Sequence, residues 1–278
     1  MTTWTDITNP EVSPGAPLST ALMTALRDNQ IAFAERDAAA PKILGSTYNF
    51  QEITATGNWT KPSNAETGDV VYVQVCGAGG GGARDSGLTS NIPRAGGGGA
   101  GFYFKIGNID DLGATEAVVI GAGGAGTTSA SAVGSAGGTT TFGTDPGGGV
   151  NDYNPIYVSC GGGGGGNPNN GAAGTGGACS VGNNALANVF SEDLWAGGIG
   201  DSGGHLLWGG AGGAQLSINA IPNFSTYAGN GGLYIETGSG TLADGQLPGG
   251  GGGAATTGAT RSGAGANGIV RAWCVKES

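Results

Sequence analysis

The sequence predicts a mostly β and irregular fold: a short N-terminal α-helix, a small antiparallel β-sheet, and a bundle of packed polyglycine II helices joined by loops. Three observations carry this. Glycine supplies 63 of 278 residues, about three times the usual share of roughly 7%. Helix-forming sequence is confined to the first 40 residues, where Gly15 is the lone glycine. Short β-branched and aromatic runs then pass directly into glycine runs, as in VQVCGAGGGG and SGAGANGIVRAWCV. The chain therefore divides into an N-terminal segment, 1–40, and a glycine-rich domain, 41–278.

In the first segment Pro10, Pro14 and Pro17 punctuate an extended lead-in. Leu18 to Ala38 then reads as a helix, free of Gly and Pro and rich in helix formers. Leu18, Leu22, Leu26, Asn29 and Phe33 recur at three- and four-residue steps and form one stripe. A thin stripe on a helix of about 20 residues is marginal alone in water. A second copy of the chain, or another protein, is the expected partner. Asn29 either sets register in such a bundle, as a buried Asn does in coiled coils, or sits exposed at the stripe's edge. Ala40-Pro41 ends the helix, because a residue before proline avoids the α region.

Beyond Pro41 the chain alternates and extends from Lys42 to Thr60. Strands are predicted at 69–76 (DVVYVQVC), 102–106, 116–120, 139–142, 156–160 and 269–275, each β-rich and bounded by glycine or turn residues. Trp59 and Trp273 are expected in the core. Between the strands lie glycine runs at 77–82, 95–101, 121–126, 134–138, 147–149, 161–166, 171–177, 197–204, 209–213, 229–232, 238–240, 249–253 and 263–268. They share no fixed repeat unit. Flexible linkers of this kind are usually Gly/Ser-rich; these are Gly/Ala-rich, and a dozen floppy segments would carry a large ordering entropy. Packing on one another is the alternative. A three-residue-per-turn backbone has no internal hydrogen bonds, so its amides and carbonyls point outward and pair with neighbours once side chains are absent. Ala is tolerated only where Cβ points out of such a lattice.

Composition excludes several classes. Eleven prolines and no G-X-Y period exclude collagen. A net charge of −10 repels phosphate backbones, so no nucleic-acid partner is expected. No apolar run approaches the roughly 20 residues of a membrane span, so no membrane insertion is expected. The opening MTTWTDITNP has neither a basic region nor an apolar stretch and does not read as a secretory signal. Cys76, Cys160, Cys179 and Cys274 match no metal or redox spacing and read as small buried hydrophobes, a disulfide being an open alternative.

Catalytic chemistry is thin, and the chain does not read as an enzyme. His205 is the single histidine, and no Gly-x-Ser-x-Gly elbow accompanies it. No metal cluster or cofactor motif is present. Asp110-Asp111 and Glu192-Asp193 are the acidic pairs, and a glycosidase would need two carboxylates brought together from separate loops. Asp145, Asp152 and Asp201 lie in Gly-rich turns and are read as turn formers before calcium ligands.

Binding is expected in the inserts, since loops on a rigid scaffold carry it. Counting one crossing of the domain per glycine run puts 83–94, 127–133, 167–170, 205–208, 233–237 and 254–262 at the end far from the strands. Inserts 178–196, 214–228 and 241–248 return to the near end, and the count closes only if 238–240 is a crossing. The far set offers Arg84, Asp85, Asn91, Arg94, Asn167, Asn169, Asn170, His205, Trp208, Tyr234 and Arg261. Arg, Asn and aromatic residues suit a polar or sugar-bearing receptor, through bidentate bonding and ring contacts.

Asn58-Trp59-Thr60-Lys61-Pro62, VVYVQVCGAGGGG, VIGAGGAG, TTTFG, CGGGGGG and the closing GANGIVRAWCV together resemble the glycine-rich domain of phage and prophage tail proteins. The resemblance covers about residues 55–275; Cys76 stands where that family often has an aromatic, a difference of packing. Residues 4–43 (WTDITNP, PGAPLSTALMTALRDNQIA, AAPKI) are similar to a short attachment segment found ahead of varied tail domains. The resemblance implies a tail-fibre tip or receptor-binding adhesin made in the host cytoplasm and carried on the virion tail. It implies a homotrimer joined to other tail or baseplate proteins through residues 1–40. It also implies a host surface receptor, either polysaccharide or outer-membrane protein. A purely architectural baseplate or fibre component and a virion polysaccharide depolymerase are the alternatives.

Overall fold

The structure, a computed structural model, describes residues 5, 7, 19–35, 47–84, 97, 102–144, 157–168, 174–181, 198, 205–206, 209–213, 224–235, 243–256 and 258–276. The chain forms two compact units, Met1–Ser46 with Val275–Ser278, and Thr47–Cys274.

In the first unit, helix α1 spans Thr20–Glu35. Ser19 starts it: its hydroxyl oxygen accepts the Leu22 amide at 3.1 Å, which satisfies one of the open amides of a first turn. Leu22 is buried, whereas Met23 and Leu26 are 52% and 41% exposed. Asn29 is buried. Its carboxamide accepts the Thr5 amide at 2.7 Å and donates to the Thr5 carbonyl at 2.7 Å. The side chain thus holds the Thr5 backbone as a neighbouring strand would. The exposed-edge reading of Asn29 is corrected by this pairing. Leu18 lies outside the described residues, as does the side chain of Phe33.

The second unit contains eleven strands among its described residues: β1 (Thr47–Ile53), β2 (Gly57–Thr60), β3 (Val70–Cys76), β4 (Phe102–Asn108), β5 (Thr115–Val119), β6 (Thr140–Phe142), β7 (Val158–Cys160), β8 (Cys179–Val181), β9 (His205–Leu206), β10 (Phe224–Ser225) and β11 (Ile269–Val275). The single predicted sheet is in fact two, with orders β1-β11-β3-β4 and β2-β5-β6-β7-β8, plus a small parallel β9–β10 pair. The five-stranded sheet is antiparallel throughout. Alternation places Val71, Val73 and Val75 of β3 and Val270, Ala272 and Cys274 of β11 inward, against Trp59, Val118, Phe142, Val158 and Cys160 of the other sheet. Trp59 meets Phe142 edge-on at 6.0 Å. Trp273, expected in the core, falls on the opposite face of β11, where it stacks on Tyr72 at 5.7 Å. Period two forces this, because Ala272 and Cys274 point inward.

The glycine runs leave these strands and bond to one another. From segment 77–83, Ala78 and Gly81 donate to Gly138 and Ser135, while Gly79 and Gly82 donate to Ala266 and Gly263. In the acceptor direction, Gly163 and Gly166 donate to Ala78 and Gly81, and Gly252 and Ala255 donate to Gly80 and Ala83. Partner segments therefore recur every third residue and not every second, as they would in a strand. Around 77–83 lie 121–126, 134–138, 161–166, 249–253 and 262–266, each hydrogen-bonded to it, and Gly97, at which a Cβ would meet the Gly80 carbonyl oxygen at 2.1 Å. Segment 249–255 is surrounded in the same way by 77–83, Gly97, 211–213, 229–235, 243–246 and 262–266.

Burial follows the same period. Gly121 and Gly124 are buried, Ala122 and Ala125 exposed, Gly123 and Gly126 half-buried. Gly174 and Gly177 are buried while Thr175 and Ala178 are exposed. The inner segments 77–83 and 249–255 are buried at every position. There a Cβ has no room: at Gly79, Gly80, Gly81 and Gly82 it would lie 2.0–2.1 Å from a carbonyl oxygen of a neighbouring segment.

One part of the crossing scheme is corrected. Residues 243–248 are not a near-end loop. Gly253 donates to Ala243, Gly250 to Gln246 and Gly229 to Pro248, so this stretch runs antiparallel to 249–253 as a further crossing. Ile235, beside Ala255, and Ala243, beside Gly253, both lie at the far end.

Candidate functional site: the loop end of the glycine-rich unit

Strands β3, β5, β7 and β11 fix one end of the runs 77–83, 121–126, 161–166 and 262–268, so the residues one run length away collect at the other. Arg84 is bridged to Ala132 and to Ala255, and Ala255 to Ile235. Four separate inserts therefore meet there. The Arg84 guanidinium donates to the carbonyl oxygens of Thr128 and Thr256, tying the 127–133 and 254–262 loops to the end of the central run. Ser262 donates its hydroxyl to the Gly82 carbonyl at 2.7 Å and accepts the Thr127 amide at 2.7 Å.

Arg261 is likewise engaged within the fold. Its two terminal nitrogens donate to the two Asp244 oxygens at 2.6 Å each, and Asp244 also accepts the Ala264 amide at 2.7 Å. Burial pushes the Asp244 carboxyl upward, but the Arg261 hydrogen bonds, the Ala264 amide and the guanidinium charge outweigh it, and the net direction is down. The pair fastens the crossing at 243–246 to the one at 262–266.

Of the predicted binding residues, Arg84, Asn167, Tyr234 and Arg261 are described with their side chains, and all are half-buried at this end. His205 is described in backbone only, within β9. Asp85, Asn91, Arg94, Asn169, Asn170 and Trp208 lie outside the described residues. The two arginines thus hold loops in place, and Asn167 and Tyr234 are the other described members of the predicted set at this end. Asp244 was not singled out from the sequence, where it fell within the insert 241–248 assigned to the near end. Among the described residues, no group of three or more His, Cys, Asp or Glu side chains is placed to hold a metal ion.

Cysteine chemistry is also resolved. Cys160 and Cys179, directly opposed in the β7–β8 ladder, are joined as a disulfide. Cys76 and Cys274 are free and buried. Burial, against the charge of Arg271, pushes the Cys76 thiol up to about 12.

These features place the chain in a definable class, a side-chain sandwich prolonged by a backbone-bonded glycine lattice. The chain belongs to the glycine-rich domain family, whose model matches residues 52–273. No curated protein matches it. Among the described residues, no helix is long and apolar enough to cross a membrane.

Proposed function

We propose that this protein is a receptor-binding component of a phage-type tail, and that its glycine runs are polyglycine II helices in a hexagonal bundle. The observation that carries the reading is the three-residue recurrence of hydrogen-bond partners across segments with six neighbours each. A three-residue turn matches the polyglycine II period, and six neighbours is the coordination of hexagonal packing. Such a bundle is stiff without a large side-chain core, and it presents loops at one end at fixed positions. Stiff presentation favours binding, because ordering costs are met before the receptor arrives.

Residues 1–40 serve attachment and self-association in this reading. Met23 and Leu26 supply an exposed apolar strip for a three-fold bundle with two further copies. The protein acts on the virion tail, with no enzymatic step. Its receptor is a polar or sugar-bearing molecule on the host surface, contacted through the loop end, with Asn167 and Tyr234 as contact residues.

The test is adsorption. Labelled full-length protein is incubated with the bacterium whose genome or phage carries the gene. The expected result is saturable binding that competes with phage adsorption, and loss of binding in the Asn167→Ala/Tyr234→Ala double variant at unchanged thermal stability. Absence of binding by the folded trimer sinks the proposal. Binding that survives the double variant moves the receptor surface away from these residues.

A further inference from the structure

The disulfide joins two neighbouring crossings that, among the described residues, are held to different extents. Segment 77–83 is surrounded, but among the described residues 174–178 has one backbone neighbour, 161–166. Two hydrogen bonds join them, from the Gly161 amide to Ala178 and from the Gly164 amide to Thr175, each 2.7 Å. Among the described residues, strand β8, which continues from 174–178, is the outer strand of its sheet. By contrast, 161–166 is fastened inward on its other side. Gly163 and Gly166 donate to Ala78 and Gly81, and Gly137 and Gly134 donate to Gly163 and Gly166. The covalent bond lies across the seam between a crossing bonded on both sides and one bonded, among the described residues, on one side.

We propose that Cys160 and Cys179 are a redox latch: oxidation fastens the outer crossing 174–178 and β8 to the bundle, and reduction releases them while 161–166 stays in place. Protein in a reducing cytoplasm would then carry the crossing loose, and release into oxidising surroundings would close it. For a tail protein as proposed above, this delays the final rigidity of the loop end beside Asn167 until the particle leaves the cell. Only that last consequence rests on the tail reading.

The chemistry balances through a small-molecule disulfide as oxidant. Cys179 is half-buried and Cys160 fully buried, so the Cys179 thiolate attacks first. It forms a mixed disulfide and expels one small thiolate. Cys160, losing its proton, then displaces the second small thiol and the Sγ–Sγ bond closes. Two protein thiols are oxidised and one external disulfide is reduced to two thiols. Cys76 and Cys274 do not compete: both are buried, and the Cys76 thiol is held protonated by its burial.

Residue-resolved amide exchange on the full chain, with and without a small thiol reductant, tests this. Peptide mapping without reductant should first recover Cys160 and Cys179 in one linked pair. On reduction, the Gly161 and Gly164 amides, which donate to the outer crossing, should exchange faster by on the order of a hundredfold, the factor expected from opening a loop of this length. The Gly163 and Gly166 amides, which donate to the central run, should be unchanged. Cys160→Ser/Cys179→Ser should reproduce the reduced pattern. Failure to find the linked pair overturns the latch, as does equal acceleration at all four glycines or no acceleration at any. No receptor enters the measurement, so a failed adsorption assay and a failed latch are distinguishable.

Discussion

Replacing Gly79 by alanine should strongly destabilise this protein, although alanine is the mildest substitution a glycine can receive. The added Cβ would stand 2.0 Å from the Gly250 carbonyl oxygen and 2.9 Å from that of Gly249, both backbone atoms. Reaching ordinary contact requires segments 77–83 and 249–255 to part by roughly 1.4 Å. That separation breaks the bonds from Gly252 to Gly80 at 2.8 Å and from Ala255 to Ala83 at 3.0 Å. Each bond contributes about 1 kcal/mol net, and each buried polar group left without a partner costs about 1–3 kcal/mol. Partial relaxation recovers some of this, so a loss of about 3–5 kcal/mol is expected. Gly57 is the control, since a Cβ there would meet nothing closer than 3.9 Å. Gly57→Ala should stay within about 0.5 kcal/mol of the parent, as surface changes do. Urea unfolding with linear extrapolation measures both. A Gly79→Ala protein as stable as the parent would refute the close-packed backbone account, because a linker accepts alanine without penalty.

Other outcomes follow from the same geometry. Asp244→Asn should cost about 1 kcal/mol at neutral pH, a value kept modest by the partial exposure of the pair. Because the Asp244 carboxyl is held down in the folded state, its stabilisation is present above the ordinary carboxylate range of about 4. It fades as pH falls through the lower folded value. Parent and variant unfolding midpoints should therefore converge in acid, and a gap that persists or widens there would contradict the assignment. Trp59→Ala should cost about 3–5 kcal/mol, whereas Trp273→Ala, on the half-buried outer face, should cost less than half as much. Equal losses in thermal unfolding would show that the two tryptophans share one core.

The strands with full alternation were legible. DVVYVQVC and IVRAWCV became β3 and β11 because inward Val71, Val73 and Val75, and Val270, Ala272 and Cys274, repeat at period two. Strands β9 and β10 were not, since two residues carry no period. The triplet order of the glycine runs was present in GAGGAG at 121–126 and GTGGAC at 174–179, but as a three-residue alternation of glycine and exposed residues, not as a repeat of whole units. The crossing at 243–248 was hidden because Asp244, Gln246 and Leu247 look like loop residues. At the margin of a lattice such side chains point outward, and Gln246 and Leu247 are exposed. The Cys160–Cys179 bond could not be read from a spacing of 19, because it depends on the β7–β8 ladder and β8 carried no strand signal of its own. Arg84 and Arg261 were read as binding residues from the crossing count and their chemistry; their carbonyl and carboxylate partners come from inserts far apart in sequence.

The central claim is that backbone hydrogen bonds between glycine runs form the core of the second unit. Amide exchange at Gly79, Gly81, Gly82, Gly251 and Gly252 tests it most directly, since each donates to another run. The account predicts exchange as slow as that of Val71–Val75 in β3, governed by opening of the whole unit. Exchange at unfolded-chain rates in these five amides, with β3 still protected, would mean that the runs are linkers and that the bundle does not exist.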